Sequence, residues 1–175
     1  MIHGTSSLGK FLALPLTAGL LLAVTLLAQD KPEVSAPAAK TFDALADQAL
    51  AAMKALATEM NVKGVAVVSC SEGERVQSWS SKMLVVGKAK TDPSPSDPAG
   101  SDLIAIAYSK SAEMADTLKA SGSGVRPPMK GEFGWQGGVI GRGKSGYLIV
   151  AFSGGASAQD VKISQAGLAV LAKSL

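Results

Sequence analysis

Apolar residues recur at helical spacing between Thr41 and Asn61, at Phe42, Leu45, Ala49, Met53, Leu56 and Met60, which predicts an amphipathic first helix. Thr41 suits its N-cap, Asp43 its first turn and Gly64 its end. The β-branched run Gly64 to Cys70 predicts a strand. Across the SEGER turn, the alternation from Val76 to Ser80 predicts its hairpin partner, and Met83 to Val86 reads as a continuation or a further short strand. Thr91 to Gly100, with three prolines in ten residues, is a loop. Ser101 to Ala120 predicts a second helix capped by Ser101, with Leu103, Ile106, Ala107, Met114 and Leu118 on one face. Ser121 to Gly134 is loop again. Val139-Ile140 and Tyr147 to Phe152 predict a second hairpin around GRGKSG. Ser157 with Asp160 reads as a capping-box-like start to a third helix, running to about Lys173. The order helix, hairpin, helix, hairpin, helix places the chain in the α/β (α+β) class, with an antiparallel sheet and packed helices.

The first 28 residues break this pattern. Lys10 precedes an almost wholly apolar stretch from Phe11 to Ala28, as in an export signal spanning residues 1–28. The stretch is also about long enough to span a bilayer, so an uncleaved N-terminal anchor is the alternative. Residues 29–40, QDKPEVSAPAAK, read as a flexible linker, and residues 41–175 as one domain. The expected location is periplasmic or extracellular, with membrane contact only through an uncleaved N-terminus.

Removing Lys10 with the signal leaves 16 of the 17 basic residues against 14 acidic ones. The lysines are spread along the chain rather than clustered with aromatics, which argues against nucleic-acid binding. His3 is the single histidine and falls within the signal. The remaining chain therefore has no Ser-His-Asp triad, no histidine zinc site and no histidine ligand for haem. Cys70 is alone, so no intramolecular disulfide forms, and its place at the end of an apolar strand suits a small buried hydrophobe. No metal site and no catalytic constellation is expected. Glu132 and Asp160 can act as acid or base, but nothing in the sequence pairs them.

Four motifs near the C-terminus carry a family resemblance: Gly137-Gly138, Ser153-Gly154-Gly155 closing an apolar hairpin, Asp160, and Ala166-Gly167-Leu168 in the last helix. With the middle segment DLIAIAYSKSAEMADTL and the alanine-rich first helix before VAVV, the chain resembles the HbpS-like and GlcG-like family of small haem-binding or haem-degrading proteins. The resemblance spans most of Thr41 to Leu175 and is specific near the C-terminus. It implies a profilin-like sandwich, homo-oligomeric assembly, and haem or a related tetrapyrrole as cofactor. Here the GG loop runs on as GGVIGRGKSG, where the family usually continues into a proline and a short acidic turn.

The candidate binding residues are Gly137, Gly138, Ser153, Gly154, Gly155, Arg142, Lys130, Trp135 and Tyr108. The four glycines can offer backbone N–H groups to an anion beside the start of the third helix, with Ser153 adding a hydroxyl. Taken singly, each glycine also serves as an ordinary turn residue. A bound haem iron would have to draw on Tyr108, Met114, Met129, Tyr147 or Cys70, most of which suit a core equally well. Arg126, Lys130 and Arg142 can pair with propionates. Phe133 and Trp135 in a glycine-rich loop suit a flat ligand, a subunit interface or a lid on the core, and Trp79 shares that ambiguity. Three functions remain open on these residues: an exported ligand-binding protein, an oligomeric interaction module without a small ligand, and an enzyme acting on haem or a small carboxylate.

Overall fold

The computed structural model describes residues 36–173. The expected signal, Met1 to Ala28, lies outside the described residues, as do residues 29–35 of the expected linker. The elements are α1 (Ala36–Glu59), β1 (Gly64–Glu72), β2 (Trp79–Val86), α2 (Leu103–Thr117), β3 (Gly138–Arg142), β4 (Gly146–Ser153) and α3 (Ser157–Leu171).

Helix α1 starts ahead of Thr41, in an alanine-rich stretch of high helix propensity. Pro37 lies in the first turn, where a missing N–H breaks no helical bond. The helix ends at Glu59 and is closed by Asn61 rather than Gly64: Asn61 turns left-handed at φ 53°, and Val62 N–H donates back to Ala57 O at 2.8 Å. The hairpin partner of β1 begins only at Trp79 and runs through Val86, so Val76 to Ser78 belong to the connection and Met83 to Val86 continue the same strand.

The strands form one antiparallel sheet in the order β2-β1-β4-β3. Alternation along β1 and β4 divides the core between the two faces. Ala66, Val68, Leu148, Val150 and Phe152 pack with Phe42, Met53, Ile163 and Leu171 of α1 and α3. On the opposite face, Val65 and Val67 pack against Leu103, Ile106 and Ala107 of α2, while Ile149 and Ala151 pack against Met114. The fold is the expected α+β class: an antiparallel sheet with helices on both faces, in the manner of a profilin-like sandwich.

Helix α2 begins two residues later than expected. Asp102, not Ser101, is its cap, and its carboxylate accepts from Ile104 N–H at 2.9 Å and Ala105 N–H at 3.1 Å. Ser101 instead donates its hydroxyl to Asp97 at 2.7 Å, inside the proline-rich loop. Helix α3 also departs from its expected start. Ala156 takes the cap position, and its N–H donates to Gln159 Oε1 at 3.0 Å, while Asp160 turns inward.

Candidate functional site

The GG loop and the SGG corner meet around a buried ion pair. Lys110 Nζ reaches Asp160 Oδ2 at 2.9 Å and Phe152 O at 2.8 Å, and both charged side chains are nearly inaccessible, at 3% and 4% exposure. Burial pushes the Lys110 ammonium down from its ordinary value, while Asp160 works against that push. Burial likewise pushes the Asp160 carboxyl up, opposed first by Lys110 and then by backbone N–H groups of Gly155 and Gly154. Gly155 N–H donates to Asp160 Oδ1 at 2.8 Å. The amides expected to hold an external anion at this corner thus hold the protein's own carboxylate.

The glycine pair makes this packing sterically feasible. Gly137 sits at φ 138°, and a Cβ there would run into Lys110 Nζ, Asp160 Cβ and Phe152 O. A Cβ on Gly138 would run into Met114 of α2. Gly138 N–H donates to Ser121 Oγ at 2.8 Å, and Gly137 O accepts from Ser164 Oγ at 2.6 Å. Ser153 is buried at the end of β4, opposite Val65.

The other expected binding residues lie apart from this corner. Tyr108 is half-buried on α2, with its hydroxyl 3.5 Å from Ser81 Oγ. Arg142, at the end of β3, pairs with Glu74 and lies 4.7 Å from the Tyr147 ring centroid. Met114 is fully buried. Cys70 is half-buried, and burial pushes its thiol up, which weakens it as a nucleophile or ligand. Among the described residues no group of His, Cys, Asp or Glu is arranged to hold a metal ion, and no helix is long and apolar enough to cross a membrane.

Lys130 and Trp135 belong to a second constellation, the loop from Ser121 to Gln136. Helix α2 fixes this loop at three points. Glu113 Oε1 accepts from Gly122 N–H at 2.8 Å, Ser109 Oγ accepts from Phe133 N–H at 3.3 Å, and Asp116 accepts from Arg126 at 2.7 Å. Arg126 also makes two bonds to Glu132, at 2.7 and 2.9 Å. That guanidinium, helped by Met129 N–H, pulls the Glu132 carboxyl down to about 2. Arg126 is consequently committed inside the protein and not available to a propionate, and Glu132 is not available as a base. The loop nevertheless leaves large apolar side chains outside: Phe133 and Trp135 lie against each other at 4.9 Å between centroids, their planes tilted by 39°, with 45% and 50% of their surface exposed. Val125 and Met129 are exposed on the same loop. Lys130 is exposed beside Met129 and has no carboxylate partner among the described residues.

Sequence reasoning singled out Asp160 but missed Lys110 and Glu113. The available signal was position: Ile106, Lys110 and Met114 follow one another at four-residue spacing, so the lysine occupies the apolar stripe of α2.

Fold and site together define a small α+β domain with a sealed glycine corner and an exposed, internally braced aromatic loop. No protein-family model matches the chain, and no curated protein matches it. Among solved structures, the crystal structure of Klebsiella pneumoniae protein ORFY, described with the family model DUF336, is similar at a TM-score of 0.47 and 18% identity, over 75% of this chain and 90% of that one.

Proposed function

We propose that this chain is an exported binding domain of the HbpS/GlcG type, with haem or a related tetrapyrrole as its ligand. The observation that carries the reading is the Phe133–Trp135 pair, held half-exposed on a loop already braced by Arg126, Glu132 and Asp116. A braced loop has little ordering entropy left to lose on binding. Two adjoining, mutually tilted rings offer an exposed aromatic surface, Lys130 a cation for a propionate, and Met129 a thioether as an iron donor. Binding is favoured over catalysis because both carboxylates with acid or base potential, Glu132 and Asp160, are engaged in ion pairs.

A hemin titration of the full-length protein tests this, followed by absorbance and light scattering. The expected result is a saturable Soret shift at about one haem per chain, weakened about tenfold or more by Trp135→Ala and by Lys130→Ala. A featureless titration of folded protein overturns the haem reading. The same exposed apolar loop favours a second reading, a homo-oligomeric interaction module, since contiguous exposed apolar surface marks interfaces as well as ligand sites. A mass that rises with concentration and falls back in Trp135→Ala, without any hemin response, would favour that second reading.

A further inference from the structure

An open groove of about 910 Å³ runs between the β1–β2 connection and α2, lined by Arg75, Val76, Gln77, Trp79, Ala112 and Ala115 among others. We propose that this groove binds a small aromatic carboxylate, the Arg75 guanidinium taking the carboxylate and the Trp79 indole lying against the ring. The groove adjoins the loop that carries Phe133 and Trp135, since Asp116 lines the groove and pairs with Arg126 of the loop, but the proposal does not rest on haem binding.

The volume falls within the range of small-molecule sites, and the lining mixes apolar with polar side chains. Val76, Ala112, Ala115 and Leu118 give the apolar surface, and the two alanines leave space on the helix side. Trp79 is 37% exposed, a large indole surface left in contact with solvent. The charge is set by the arginines. Arg126 is held by Asp116 and Glu132, and Arg142 by Glu74. Arg75 is exposed and has no carboxylate partner among the described residues. Of the acidic residues near it, Glu74 is paired with Arg142, and Asp116, which lines the groove, shares Arg126 with Glu132. The groove therefore presents an unspent cation suited to bidentate recognition of a carboxylate.

The sheet face beneath supplies a further observation. Ser71 stands opposite Trp79 in the ladder and Ser69 opposite Ser81. Alternation puts these residues on the face that carries α2. The Ser69 and Ser71 hydroxyls are buried without a hydrogen-bond partner. Buried hydroxyls are normally satisfied, and these two stand across the ladder from the Trp79 end of β2 without lining the groove.

The test uses full-length protein carrying Trp135→Phe, which leaves Trp79 as the one tryptophan of the two in the chain. Benzoate is titrated while Trp79 emission is followed, with benzamide as the uncharged control. The expected result is a saturable change with benzoate, at least about tenfold weaker with benzamide and in Arg75→Gln. Ala112→Leu, which fills the groove with a good helix former on an exposed position, weakens it by a similar factor. Circular dichroism checks that each variant is folded. No saturable change up to about 10 mM benzoate overturns the proposal, as does binding indifferent to both Arg75→Gln and Ala112→Leu. A hemin response lost in Trp135→Ala bears on the haem reading alone and leaves this result separate.

Discussion

Lys110 and Asp160 depend on each other because neither charge can be left alone in the interior. Removing one partner of a buried ion pair costs about 3–5 kcal/mol, since the remaining charge has lost its compensation. Lys110→Met and Asp160→Ala should each fall in that range by urea denaturation, and the double variant should cost less than their sum by about 0.5–3 kcal/mol. Strict additivity would mean that the two side chains act independently and that the corner is held by its backbone bonds alone. Asp160 was visible in the sequence as an acidic residue near a helix N-terminus, but its direction was not. A carboxylate in the first turn reads equally well as exposed, and only the approach of α2 to the SGG corner decides that it turns inward. Lys110 was legible in principle, because a lysine on an apolar stripe demands a buried counter-charge. The partner lies 50 residues away, across a contact that spacing alone does not specify.

At the scale of elements, helices and strands were readable and their ends were not. Thr41, Ser101 and Ser157 all suit a helix start by residue type, yet Thr41 lies inside α1, and the cap positions of α2 and α3 fall to Asp102 and Ala156. In the second case two competent residues stand side by side, and Asp102 wins because Ser101 is drawn to Asp97. Asp102→Ala should destabilise the protein by about 1 kcal/mol and Ser101→Ala by less, as measured by thermal melting. Equal losses would mean that the proline-rich loop, rather than the cap, fixes the helix start. The loop after α2 gives a pH signature. Glu132 titrates at about 2 when folded, against an ordinary value of 4.5, so the folded state binds fewer protons between those values. The stabilisation it brings is therefore complete above about pH 4.5 and is lost as the pH falls toward 2. Glu132→Gln should flatten that part of the acid unfolding curve. An unchanged acid limb would show that the Arg126 clamp does not brace the loop in solution.

For the molecule as a whole, the apolar pattern divides into a part that folds the protein and a part left outside. β1 reads as a nearly continuous apolar run because the sheet is covered on both faces, and it pairs with β2 on one side and β4 on the other. Phe133 and Trp135 do not belong to any of the three core clusters, although their residue types alone would suit one. Their position in the sequence did not reveal this, because exposure is decided by the ion pairs of Arg126 and by the glycine on either side of Phe133 and its neighbours. Since the loop is anchored by Glu113, Ser109 and Asp116 rather than by its rings, losing the rings should leave the fold intact. Phe133→Ser combined with Trp135→Ser should change stability by no more than about 0.5 kcal/mol, the usual range for exposed positions. The same variant should lose whatever hemin response or self-association the parent shows. A melting temperature that drops by several degrees would instead make the aromatic pair a packing element of the loop. The binding reading would then lose the observation on which it stands.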